Sequence, residues 1–273
     1  MKSPAWAPDE EPPSPDARVE FDVGRWPSGL WQGDGVFETI RVVEGVPVGL
    51  EAHIRRCLGA CAALGLETRR TDLLASIADA LRPSAAMAEG VLRVVVASGE
   101  ASRPGGHVVA WLAPMSPSMA TRRRGLEVRT LAATCTPWSA LKVTSALGHR
   151  WAQRRAHPLE PLYVDEAGHV LEGATWNIFA LFEDTLVTPP CDGRILPGTA
   201  RARLLRCAEA LGCTPEERPL TLAALVGAKG VFATNALLPI SPIVRLDGLR
   251  LALDEGWAAR ARESLESGTD ATG

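Results

Sequence analysis

The chain has 273 residues, 46% of them hydrophobic, and a formal net charge of −3; a real core can be buried, and neither global disorder nor general nucleic-acid binding fits. No apolar run approaches the roughly 18 residues that span a bilayer. The six cysteines and five histidines form no CxxC pair, HExxH motif or clustered ligand set, which argues against a metal. Met1-Lys2-Ser3-Pro4 leads into an acidic, proline-rich stretch and not an apolar signal segment, so the expected setting is cytoplasmic, with reduced thiols and no membrane partner.

In chain order, residues 1–17 carry five prolines and four acids and read as a disordered tail. A first lobe, 18–115, follows. Residues 36–48 read as a hairpin turning at Glu44-Gly45. Residues 51–66 read as a helix with Ile54, Leu58, Cys61 and Leu64 on one face and Gly65 near its end. Thr71-Asp72 is placed to cap a second helix over 73–81, with Leu74, Ile77 and Leu81 inward. Strands are expected over 91–97 and 107–112, around a glycine-rich loop. The stretch 116–125, with its run Arg122-Arg123-Arg124, reads as an interlobe connector, and that run and Arg154-Arg155 as solvated surface. The second lobe, 126–266, opens with a strand over 126–132 and a helix over 145–156. Hairpins follow over 162–171 and 177–188, turning at Glu166-Ala167-Gly168 and Glu183-Asp184. A helix over 199–211 should stop at Gly212. A strand over 230–234, a hairpin around Asp247-Gly248 and a short helix near Trp257 precede a frayed end, 267–273. Helices and strands mix without a fixed repeat, which gives an α/β (α+β mixed) class.

Among 29 basic residues only Lys2, Lys142 and Lys229 are lysines. Arginine supplies positive charge nearly everywhere, so a lysine in apolar company invites attention: only an amine forms an imine. Lys142 stands in Trp138-Ser139-Ala140-Leu141-Lys142-Val143-Thr144, where desolvation should favour the neutral amine. Taken alone, it would equally be an amphipathic lysine reaching water. Glu172, between two hairpins, is placed to partner a cofactor ring nitrogen, or simply to sit solvated beside a turn glycine. Ile195-Leu196-Pro197-Gly198-Thr199-Ala200-Arg201 enters a helix, and free amides there form a phosphate cradle; the same residues also suit an ordinary Thr199 N-cap. Arg56 could add a positive fork to that phosphate. Gly33-Asp34-Gly35 fails as a dinucleotide fingerprint because position 38 is Glu and the segment enters a strand.

Taken together and in order, Gly33-Asp34-Gly35-Val36-Phe37-Glu38-Thr39-Ile40-Arg41, His53-Ile54-Arg55-Arg56, Lys142, Glu172-Gly173-Ala174-Thr175-Trp176-Asn177, Leu196-Pro197-Gly198-Thr199-Ala200-Arg201 and Thr234-Asn235-Ala236-Leu237-Leu238-Pro239-Ile240 resemble the class IV aminotransferases. These are the pyridoxal-5′-phosphate (PLP) enzymes of fold type IV, and the likeness runs over about 30–251. It implies a two-lobe fold, a small N-terminal α/β lobe and a larger C-terminal lobe with a barrel-like sheet, with PLP between them and a homodimer closing the site. It implies that Lys142 forms the Schiff base and shuttles protons, and that Glu172 pairs with the pyridine nitrogen. Arg56, the amides of Thr199 and Ala200, and the Asn235-Ala236 turn would hold the phosphate; Arg103 and Phe37 would face a small amino substrate. Asn235-Ala236-Leu237-Leu238-Pro239-Ile240 resembles aminodeoxychorismate lyase more than the aminotransferases. That favours release of pyruvate from 4-amino-4-deoxychorismate, giving 4-aminobenzoate for folate. An aminotransferase for branched-chain or D-amino acids is the alternative, and a non-catalytic binder on the same fold, which would need neither Lys142 nor Glu172, a remote one. The sequence departs from the pattern at Gln32 (usually aromatic), Ser98 (often Arg), Leu147 (Tyr in branched-chain enzymes) and Thr199-Ala200 (usually Ile-Thr).

Overall fold

Gly45 and Gly248 explain two hairpins at once. Each follows a residue with positive φ (Glu44 at 48° and Asp247 at 48°) and is itself at 80° and 85°, the paired left-handed geometry that tight hairpins require. The computed structural model describes residues 28–82, 88–99, 105–116, 118–133 and 135–267.

A short helix α1 (Ser28–Gln32) leads into β1 (Gly35–Val43) and β2 (Val46–Pro47), then helices α2 (Leu50–Ala63) and α3 (Arg70–Leu81) and strands β3 (Glu89–Ser98) and β4 (Gly106–Pro114). The strands form an antiparallel sheet in the order β2-β1-β3-β4. Along β1 burial alternates as a half-buried strand dictates. Val36, Ile40 and Val42 join a core with Ile54, Cys57 and Cys61 of α2 and Leu73 and Ile77 of α3. Glu38 lies on that buried face too, only 2% exposed, a charge where the pattern asks for an apolar side chain.

Helix α4 (Ser118–Arg124), β5 (Leu126–Ala132) and α5 (Leu147–Ala156) follow, then β6 (Glu160–Val164), β7 (His169–Gly173), β8 (Asn177–Phe182), β9 (Thr185–Thr188), α6 (Thr199–Cys207), β10 (Thr214–Glu217) and β11 (Leu220–Thr221). The chain continues with α7 (Leu222–Val226), β12 (Gly230–Thr234), β13 (Ser241–Leu246), β14 (Leu249–Arg250) and α8 (Glu255–Ser267). The second sheet runs β8-β12-β13-β5-β6-β7, and β7 pairs back onto β8. Six strands therefore close on themselves, and the closing pair is Glu172 opposite Asn177. One core cluster takes Leu126, Val128, Leu162, Val170, Ile178, Val231 and Ile243 from all six strands. A second packs Phe179, Leu181 and Phe232 against Leu204 of α6 and Trp257 of α8. Strands β8 and β12 face both clusters, which is why they read as continuous apolar runs instead of alternating.

Several expectations are corrected. The segment expected as a connector contains α4. Two of its three arginines are paired: Arg122 meets Glu160 at 3.0 Å and Arg123 meets Glu89 at 2.6 Å, whereas Arg124 is exposed as expected, and the Ser241 hydroxyl donates to the Arg122 carbonyl. Leu64 and Leu74 are exposed; α2 has ended before Leu64, and α3 starts at Arg70 with no side-chain cap, turning Leu73 inward in place of Leu74. The expected tail 1–17 lies outside the described residues. Among the described residues, no helix is long and apolar enough to cross a membrane, and no group of three or more His, Cys, Asp or Glu is placed to hold a metal ion.

Candidate active site

Lys142 is fixed by backbone pairing before its side chain is considered. Its carbonyl accepts from the Phe37 N–H at 2.9 Å, Val143 bridges Val36, and the Thr144 N–H donates to the Gly35 carbonyl at 2.8 Å. The segment between β5 and α5 thus lies along the start of β1 and joins the two sheets. Phe37, on the face of β1 opposite its core, sets its ring 4.4 Å from Lys142 Nζ. Burial lowers the Lys142 amine to about 8, and the Arg56 charge acts in the same direction. A neutral, nucleophilic amine is therefore within reach near neutrality.

Glu172 ends up in the barrel seam. Its Oε2 accepts from Asn177 Nδ2 at 2.9 Å and its Oε1 from the Leu196 N–H at 3.1 Å. Asn177 Nδ2 also donates to the Leu196 carbonyl at 2.9 Å, tying the 195–198 loop to the seam. Gly198 is required there: a Cβ would sit 2.0 Å from Asn177 Oδ1. Burial pushes the Glu172 carboxyl up to about 8, although the Leu196 amide and the Lys142 charge pull it back. Its hydrogen-bonding partners are neutral, so a buried carboxyl is left wanting a cationic or proton-bearing partner.

Arg56, on α2, reaches the other end of the site. Its Nε and Nη2 fork onto Glu38 at 2.8 and 2.6 Å, and its Nη1 donates to the Pro197 carbonyl at 3.1 Å. His53 Nδ1 meets the same Glu38 at 2.7 Å, and His53 Nε2 lies 3.1 Å from Thr199 Oγ1. Burial alone would raise Glu38, but its bonds to Arg56 and His53 outweigh that and hold it down at about 2. The N-cap of α6 is Gly198 with no side-chain cap. The expected Thr199 cap is therefore absent, because its hydroxyl is turned to His53, and the first amides of α6 stay free. Ala200 is buried directly behind.

In the 235–238 turn, Asn235 Oδ1 accepts from the Leu237 and Leu238 amides at 2.9 and 2.7 Å, and Nδ2 donates to the Thr175 carbonyl at 3.1 Å. The Asn235 N–H donates to the Leu238 carbonyl at 2.8 Å. The side chain therefore shapes the turn, and Ala236 is left to offer its amide.

Bonds and charge contacts thus connect Lys142, Glu172, Arg56, Phe37 and Thr199, with Ala200 next in the chain; the Asn235-Ala236 turn is tied to the Thr175 carbonyl, and Arg103 lies outside the described residues. Sequence reasoning passed over three participants. Glu38 and Asn177 organise the neighbours just described, and His149 of α5 bonds the Tyr163 hydroxyl of β6 at 3.1 Å, with Lys142 lowering the His149 pKa further after burial. Glu38 had a legible signal, an acid at an inward position of an alternating strand; Asn177, like His53, stood in a segment of the family pattern without an assigned role, and His149 had no signal.

A site that pairs a desolvated lysine with a buried carboxyl and an anion cradle is one for a phosphorylated carbonyl cofactor, and the comparisons agree. The model of the class IV amino-transferases matches residues 35–246, and the chain belongs to that family, whose members are PLP-dependent enzymes. A chain from Methanocaldococcus jannaschii with a provisional branched-chain-amino-acid aminotransferase name is 30% identical over 250 residues, 85% of this chain and 84% of that one. A bifunctional aminodeoxychorismate lyase / D-amino acid transaminase of Mycobacterium tuberculosis is 28% identical, covering 81% of this chain and 84% of that one. The solved fold IV transaminase CpuTA1 of Curtobacterium pusillum superposes with a TM-score of 0.80 at 26% identity, covering 96% of this chain and 91% of that one. The residues present suit PLP: an amine for its aldehyde, an acid for its ring nitrogen, and free amides with a guanidinium for its phosphate.

Proposed function

We propose that Lys142 binds PLP as an imine, that Glu172 pairs with the pyridine nitrogen, and that Arg56 with the amides of Thr199, Ala200 and Ala236 in the Asn235 turn holds the phosphate. The observation that carries this is that the half-buried Lys142 and the buried Glu172 lie within reach of each other's charge, the amine lowered to about 8 and the carboxyl raised to about 8, with no ion pair between them. Bound PLP supplies an electron sink for the carbon next to the imine. The protein's own part is positional. With the cofactor bound, Lys142 Nζ would be placed to take up and return a substrate proton, the Glu172 carboxyl would pair with the ring nitrogen, and the Phe37 ring would line the substrate side. Arg103 is proposed to face a substrate carboxylate.

We further propose an aminodeoxychorismate lyase-like reaction, freeing pyruvate from 4-amino-4-deoxychorismate and leaving 4-aminobenzoate. Its support is the Asn235-shaped turn carrying Ala236-Leu237-Leu238-Pro239, together with a relative that combines lyase and transaminase activities. The second reading is a transaminase for branched-chain or D-amino acids, supported by the other two similarities. Incubation with 4-amino-4-deoxychorismate and PLP should yield 4-aminobenzoate with no keto-acid acceptor. Turnover only of an amino acid plus a 2-oxo acid would replace the lyase reading with the second. A homodimer is also proposed, because Trp31, Trp111, Trp138 and Trp151 expose large apolar surface; a one-chain mass in sedimentation at working concentration would contradict it.

A further inference from the structure

Of the buried polar groups around the site, Glu38 and His53 make no hydrogen bond to Lys142 or Glu172, yet they link β1, α2 and the start of α6. Glu38 sits on the core face of β1 between Val36 and Ile40, where an unpaired carboxylate would be strongly unfavourable. Its two oxygens take both donors of the Arg56 fork and the ring N–H of His53. Because Glu38 is ionised and acceptor-only, the His53 proton lies on Nδ1. His53 is itself buried, which favours the neutral ring. Nε2 is then a bare acceptor, and the Thr199 hydroxyl donates to it. The groups facing His53 are Glu38 from β1, Arg56 one turn along α2, Lys142 from the segment before α5, and Thr199 from α6.

Two consequences follow from donor counting. The Thr199 hydroxyl proton is committed to His53, and Ala200 has no side-chain donor, so the start of α6 offers an anion its backbone amides alone. Arg56, in turn, is held on two sides, by Glu38 and by the Pro197 carbonyl immediately before α6. Helix α2, held to β1 through Glu38, and the α6 N-terminus are thus pinned to each other by two bonds, Thr199 to His53 and Arg56 to Pro197.

We propose that Glu38, His53 and Thr199 form a clasp between the two sheets that sets Arg56 and the α6 amides in register to grip the cofactor phosphate, with Glu38 as the positioning residue and the Thr199 hydroxyl as a tether and not a phosphate ligand. This rests on the assignment of the phosphate to Arg56 and α6. The clasp removes the need to order the cradle when the anion arrives, so its effect is confined to ligands that carry a phosphate.

The test compares PLP with pyridoxal, which has the same aldehyde and ring but no phosphate, by titrating the full chain freed of cofactor and following the imine absorbance. Wild type should bind PLP far more tightly than pyridoxal. Thr199→Val should weaken PLP by about tenfold, the loss expected for one tethering hydrogen bond, and leave pyridoxal binding unchanged; Thr199→Ser should restore PLP binding. Glu38→Gln should weaken PLP by at least about a hundredfold, with Thr199→Val carrying the test if that variant fails to fold. Thr199→Val binding PLP like wild type, or PLP and pyridoxal weakening together, would overturn the clasp while leaving the phosphate assignment standing. Equal wild-type affinity for the two ligands would remove the phosphate assignment itself, and the clasp with it.

Discussion

Lys142 shows how one side chain acquires its chemistry from its neighbours. Its backbone is clamped to Gly35 and Phe37, so the half-buried side chain is directed beside the Phe37 ring, and partial desolvation brings the amine to about 8. The sign is direct: below that value the amine is charged and unreactive, and above it the neutral form attacks. The rate of imine formation with PLP should therefore rise with pH around 8 and level off above it, well below the value of an ordinary lysine; a rate still climbing past pH 10 would mean that the amine is not desolvated. The residue scale was also the most legible in the sequence, because the rarity of lysine among so many arginines singled out Lys142. Partners set by folding were not legible. Asn177 lies only five residues from Glu172, but its double role follows from barrel closure, and nothing local announces that His149 meets Tyr163.

Elements were readable where local chemistry sets them. The hairpins at Glu44-Gly45, Glu166-Ala167-Gly168, Glu183-Asp184 and Asp247-Gly248 stand where the turn residues placed them, and Gly212, at φ 78°, follows the last turn after α6. Elements defined by distant partners were missed. Strand β10 contains a proline and two glutamates yet pairs in parallel with β9; an edge strand tolerates that composition because one side needs no ladder. Helix α4 was hidden by the prolines that precede it in the sequence and by its arginine run, in which Arg122 and Arg123 are matched by Glu160 and Glu89 from other elements. Leu64 and Leu74 show the same limit: α2 stops at Ala63, before Leu64, and on α3 the neighbouring Leu73 takes the inward direction that Leu74, about 100° further round, cannot share.

For the whole molecule, the class of fold could be read from the mixture of elements, and its two-lobe form and barrel-like sheet from the family pattern, whereas that β7 makes the closure onto β8 could not. That closure matters for function, since it brings Glu172 to Asn177 and the 195–198 loop, while the clasp and the segment carrying Lys142 bring the first sheet to the same place. The site is thus a product of the join between the sheets and belongs to neither alone. The most direct test of this account is the absorbance spectrum of the protein with PLP, beside Lys142→Ala. The account predicts an imine band in the wild type that borohydride reduction abolishes and that the variant lacks; a band of equal strength in Lys142→Ala, or none in either protein, would contradict it.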